Sequence, residues 1–298
     1  MIDRSTVRIA RRAAGSVTAL AAALVLTACA SAAPGMPGGA APTNGPGFPV
    51  ALDRAPSGEI WGLGGSTAVE IDPSGRVERQ IELGFLPSPW TITALAAGGD
   101  DRLFLSAVWS DGEAFGDIVA FDAATGEHTV VAHQESPVGD LAVVGDDVVF
   151  VSFAADDERS FNVRRASPTG EIADLVELAG DGRRAAIAAD ATGTIAVTTA
   201  DGVARLFPND GTLTEWALPS ESTGLAISRA GRVVATADGD RDCERWLTIG
   251  DTGSSRIDGP CVPRGFVWLD EDTVLVSTGD ENGADLVRVP VQSSPSDR

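Results

Sequence analysis

There is no lysine in this 298-residue chain, and all 22 basic residues are arginine against 43 acids, a net charge of −21. Nucleic acid needs a basic face for its phosphates, so that partner class is excluded. A polybasic grip on anionic lipid is excluded for the same reason. Histidine is almost missing too, with only His128 and His133, five residues apart. In an extended strand that spacing puts them on opposite faces, so they are not expected to share a metal or a proton. No H-E-x-x-H, G-x-S-x-G or Walker loop occurs. The glycine-rich run Gly62–Thr67 has no lysine after it and reads as a turn between strands. Long apolar runs are also absent. The best one, Val17 to Leu26, falls well short of the roughly 20 residues that span a bilayer.

That short run is informative for what surrounds it. Arg4, Arg8, Arg11 and Arg12 precede it as a basic leader, and Leu26-Thr27-Ala28-Cys29 follows it. The tetrapeptide resembles the lipobox of bacterial lipoproteins. The resemblance implies cleavage before Cys29 and a diacylglycerol on its sulfur; the alternative is an ordinary secretory signal. Residues 1–28 are thus expected to be a signal peptide. The mature chain is expected on the extracytoplasmic side of the cell membrane, held by lipid alone. Residues 29–48 carry the lipidated cysteine and an Ala/Gly/Pro-rich stretch without charge, which cannot build a core and reads as a disordered tether. Such a tether reaches about 60 Å as polyproline II and about 25 Å as a flexible coil.

From residue 49 onward the sequence repeats itself. EIWGLGG–TAVEIDPSG–RVERQIEL is echoed by RLFLSAVW–DIVAFDAATG–EHTVVAH, by DVVFVSF–FNVRRASPTG–EIADLVEL and by TIAVTTA–VARLFPNDG–TLTEWALP. A fifth copy runs RVVATAD–RWLTIGDTG–SSRIDG, and TVLVSTG–ADLVRVPV begins a sixth. Alternating Val, Ile, Leu and Thr marks half-buried strands, and the glycines of PSGR, ATGE, PTGE, NDGT and DTGS supply tight reversals. Four strands recurring about every 40 residues predict an all-β, six-bladed β-propeller over 49–292, with a disordered tail at 293–298. The blades are placed at 49–84, 91–133, 138–178, 184–219, 222–259 and 264–291. The last lacks an outermost strand, which Thr43 to Phe48 or the tail after Val291 is expected to supply. Seven blades is the alternative.

The chain from 50 to 291 resembles bacterial propellers of the NHL and streptogramin-lyase-like kind, on GEIWGLGGSTAVEIDPSGRVERQIEL and GTIAVTTADGVARLFPNDGTLTEWALP. That resemblance implies a ring shared by lyases, lactonases and pure binding modules. A streptogramin lyase would imply a histidine near the central cavity, and neither histidine is so placed.

Turns between first and second strands are short, whereas the second-to-third loops WSDGEAFG, AADDERS, DGDRDCE and GDENGAD are long and acidic. Function is expected at the elaborated end. Asp238, Asp240 and Asp242 imitate a calcium loop, but Cys243 and Ile249 stand where such a loop needs Gly and Glu, so no metal is assigned. Cys243 and Cys261 fall on that same end in an oxidising setting. A disulfide between them, worth roughly 3 kcal/mol, is expected; two reduced, buried thiols are the alternative. The starts of the innermost strands place Asp140, Arg184 and Arg264 at the channel mouth, with Trp90 and Trp109 beside them. They suit a small anionic ligand, or else serve only to hold blades together. The reading is a monomeric binding or assembly module for an envelope protein or small anion, without cofactor. A metal-dependent hydrolase, lactonase or lyase on the same ring is the alternative.

Overall fold

A computed structural model describes residues 51–291, apart from 87–89, 110–114, 155–158, 208–210, 218–223, 239–244, 251–254, 259–262 and 281–282; it does not describe the side chains of the strand residues within 236–264 and 279–285. The chain is all-β there. Strands β1 (Ala51–Arg54), β2 (Ile60–Gly64), β3 (Thr67–Ile71) and β4 (Val77–Glu82) form the first antiparallel sheet in sequence order. The second holds β5 (Trp90–Ala97), β6 (Arg102–Trp109), β7 (Phe115–Asp122) and β8 (His128–Gln134). The third holds β9 (Val138–Val144), β10 (Asp147–Ser152), β11 (Ser160–Ala166) and β12 (Ile172–Ala179). The fourth holds β13 (Ile187–Ala189), β14 (Ile195–Thr199), β15 (Gly202–Phe207) and β16 (Thr212–Ala217). The fifth holds β17 (Leu225–Ile227), β18 (Val233–Asp238), β19 (Arg245–Gly250) and β20 (Ser255–Asp258). The last has three described strands, β21 (Pro263–Asp270), β22 (Thr273–Asp280) and β23 (Gly283–Pro290). Both segments expected to complete it lie outside the described residues, as do Cys29, Cys243 and Cys261.

The sheets close into a propeller because each buries a face against the next. Phe104 and Ile118 of the second sheet meet Leu141 and Phe150 of the third; Phe161 and Val163 of the third meet Ile187 and Val197 of the fourth. The ring closes where Ile60, Val69 and Ile71 pack on Val267 and Leu275. The innermost strands β1, β5, β9, β13, β17 and β21 adjoin one another in turn around the axis. The turn glycines behave as the sequence implies: Gly75, Gly126, Gly170 and Gly211 all have φ between 72° and 88°, closed to most side chains.

Arginines tie blades together near the short-turn end. Arg54 Nη1 donates to Trp268 O (3.1 Å) and Leu269 O (2.7 Å), linking first and last blades. Arg79 pairs with Glu70 and reaches Asp101 and Ala123 O of the second blade. Arg205 donates to Gly231 O, and Arg232 to Glu271 O, across the next junctions. A guanidinium with several donors satisfies carbonyls that water reaches poorly, so this end is built to be rigid.

Candidate functional site

Most of the candidate residues lie toward the opposite end. Three innermost strands break register within a few residues of it: β5 between Ile92 and Ala94, β9 opposite Phe150 and Ser152, and β21 between Pro263 and Gly265. The residues in these bulges are Thr93, Gly139 with Asp140, and Arg264. A bulge re-aims a side chain and is often found beside functional sites. Asp140 and Arg264 were anticipated at strand starts, and the structure puts their backbones there. The Arg264 side chain lies outside the described atoms. Thr93 was not anticipated; its hydroxyl lies 3.0 Å from Ser106 Oγ, which donates to Val138 O of the third blade.

Asp140 accepts the Ile187 amide of the fourth blade at 3.0 Å. Asp53, which sequence reasoning missed, makes a comparable contact two junctions earlier and nearer the short-turn end, accepting the Ala97 amide at 2.7 Å. Each carboxylate satisfies an innermost-strand amide of the next blade, a group otherwise left without a strand partner. Burial pushes the Asp53 carboxyl up to about 7, against the pull of the Ala97 and Arg54 amides, and the charge of Asp140 adds to the rise. Burial likewise lifts Asp140 to about 6, opposed by the amides of Ile187 and Leu141. Two acids that titrate near neutrality are suited to proton transfer as well as to binding. The visible signal for Asp53 was one acid inside an inner strand, Ala-Leu-Asp-Arg.

Arg184 is placed differently from the expectation. It lies before β13, in a turn where the amides of Arg184 and Ala185 bond Asp181 O and the Arg183 amide bonds Asp181 Oδ1. Its exposed guanidinium lies 3.8 Å from Asp181 and is not placed on Asp140. A local Asp-initiated turn has captured the residue before the strand begins.

Trp90 and Trp109 do come together. They are direct cross-strand partners, and so are Trp109 and Phe115, so all three rings share one face of the second blade at its loop end. Ring centres are 5.6 Å apart for Trp90–Trp109, 5.5 Å for Trp90–Phe115 and 5.6 Å for Trp109–Phe115. Trp90 stands nearly perpendicular to the other two, which are parallel within 9°. All three are half-buried. Phe115 was missed because only its partner across the loop, Trp109, stood out by residue type.

The histidines correct one expectation. Register shifts between Ile118 and Val119, leaving Val131 as the extra residue of β8. His128 pairs with Phe121 and His133 with Asp117, so the bulge turns both histidines to the same face. His128 stacks on Phe85 with centres 4.2 Å apart. His133 Nδ1 lies 2.6 Å from Asp117 Oδ1, with its ring 5.6 Å from Phe115. Among the described residues, no three of His, Cys, Asp and Glu converge as a metal-ligand set.

No protein-family model matches the sequence, and no curated protein sequence matches it either. Solved structures do. The chain is similar to regucalcin, a calcium-binding protein from Agrobacterium tumefaciens (TM-score 0.55, 16% identity, 82% of this chain and 92% of that one). It is similar to TolB from Acinetobacter baumannii (0.53, 15%, 76% and 60%) and to oligogalacturonate lyase from Vibrio parahaemolyticus (0.51, 13%, 79% and 75%). The likeness establishes the β-propeller. At these identities it does not carry an activity across.

Proposed function

We propose that this chain is a lipid-anchored extracytoplasmic protein whose six-bladed propeller, of the NHL and streptogramin-lyase-like kind, serves as a ligand- or protein-binding module. The observation that carries the reading is the half-buried Trp90–Trp109–Phe115 cluster at the loop end of a ring clamped by arginine at its other end. Binding energy concentrates in such aromatic anchors. The Leu26–Cys29 tetrapeptide supports the anchor. TolB is among the similar structures that frame the proposal.

A second reading, a hydrolase, lactonase or lyase on the same ring, is favoured by Asp53 and Asp140. An acid lifted toward neutrality can serve as acid or base, and a lyase is among the similar structures.

A photoreactive residue in place of Phe115 tests the first reading in intact cells. A discrete crosslinked partner is expected from Phe115, none from Val77 on the exposed outer strand of the first blade, and loss of the adduct with Cys29→Ala as the protein leaves the membrane. Equal adducts from both positions, or an unchanged membrane fraction with Cys29→Ala, would refute it.

A further inference from the structure

Three tryptophans already hold a cation supplied by the chain itself. The guanidinium carbon of Arg79 lies 4.9 Å from the Trp61 ring centre, that of Arg205 4.4 Å from Trp216, and that of Arg232 5.3 Å from Trp268. Each of these arginines also reaches the neighbouring blade, so those cation–π pairs belong to the scaffold. Trp90 is different. Its ring neighbours are Trp109 and Phe115, and among the described residues no guanidinium lies over it.

The surroundings of that face are acidic. Asp117 lies on the same side of β7, two residues beyond Phe115, with His133 Nδ1 2.6 Å from its carboxylate, and the exposed Glu135 comes just after β8. The whole molecule carries −21. The negative face of an aromatic ring attracts a cation, and a carboxylate beside it adds to the pull. A net negative field concentrates cations and repels anions. Ring centres only 5.5–5.6 Å apart leave no slot for a flat group between them. A ligand must therefore meet the outer faces, which suits a compact, weakly hydrated head group.

We propose that the Trp90–Trp109–Phe115 face binds an organic cation, an alkylated ammonium or a guanidinium, presented by a small molecule or by a side chain of a partner. The proposal rests on the binding-module reading and specifies the chemistry of that site. It is an alternative to the small anion that Arg184 and Arg264 suggested.

Choline and 3,3-dimethylbutan-1-ol have the same shape and differ in charge, which makes them the decisive pair of probes. Titration followed by the indole N–H resonances should show saturable shifts for Trp90 and Trp109. Choline should bind at least about fivefold more tightly than the neutral alcohol, as expected for cation–π contacts at a partly desolvated site. Nα-acetylargininamide in place of choline distinguishes a guanidinium from a quaternary ammonium, and tighter binding than the alcohol by either supports the proposal. Trp90→Leu should abolish the preference for charge; if that variant does not fold, Phe115→Leu serves instead. Equal affinity for choline and the alcohol overturns the cation chemistry while leaving the binding face in place. No shift with any probe overturns the proposal, whereas failure of the binding-module reading itself shows in the Phe115 crosslink.

Discussion

Replacing Asp53 with Asn is expected to stabilise the folded chain at pH 8 and to change it little at pH 4. The carboxyl has a folded value of about 7 against an ordinary 3.8. A raised folded value means that the folded chain keeps a proton the unfolded chain has already lost. Stability from this group is therefore greatest below about pH 4, falls as pH rises toward 7, and is flat above that. A tenfold change in proton affinity corresponds to about 1.36 kcal/mol, so the ionised Asp53 costs roughly 2–4 kcal/mol at pH 8 once its partial exposure is allowed for. Asparagine keeps an oxygen for the Ala97 amide and carries no charge. Asp140→Asn should act in the same direction with a smaller effect, because its value is about 6. The two effects should not add, since the charge of Asp140 itself raises Asp53. Chemical denaturation of both variants at pH 4 and pH 8 gives the comparison. The difference from the parent chain is the quantity to read, because exposed Asp72 and Asp122, lowered by hydrogen bonds in their turns, shape the absolute profile in the opposite sense. If Asp53→Asn destabilises at both pH values, the carboxylate is a structural necessity.

Arg54→Met should cost about 2–3 kcal/mol, and here pH should matter little. Methionine keeps much of the apolar stem but leaves Trp268 O and Leu269 O, now 3.1 and 2.7 Å from Nη1, without that donor. Hydrogen bonds from a charged donor contribute about 1.5–3 kcal/mol, and an unsatisfied buried carbonyl adds to the loss. Arg54 also joins the first and last blades, the one junction that the order of the chain does not hold together. For a domain of this size the melting temperature should fall by roughly 5–10 °C. Arg54→Lys should rescue only part, because an ammonium is a point donor and lacks the planar fork. A melting temperature within one degree of the parent would mean that hydrophobic packing alone closes the ring.

The two predictions separate what was legible from what was not. The blades were legible because the signals are local. β15 and β16 alternate apolar and polar residues on either side of Asn209-Asp210-Gly211, and Gly211 has the positive φ that the turn requires. Trp90 and Trp109 were legible as neighbours because the strand ends that carry them share one end of any propeller. Asp53 was not legible, since its partner, the Ala97 amide, lies 44 residues away across a junction that only the closed ring creates. The shared face of His128 and His133 depends on one extra residue at Val131, and bulges leave no trace in an alternating pattern. Arg184 looked like the start of a strand because the pattern marks apolar periodicity, and not the Asp181 turn that delays β13 to Ile187.

The central claim is that recognition happens at the aromatic loop end while the arginine-clamped end holds the fold. Hydrogen exchange of the protein in intact cells, compared with the same chain purified, tests this most directly. The account predicts added protection at Trp90–Ile92, at Ala107–Trp109 and at Phe115–Asp117. It predicts none at the short turns 55–59, 98–101 and 190–194. Protection confined to those turns, or no difference anywhere, would contradict it.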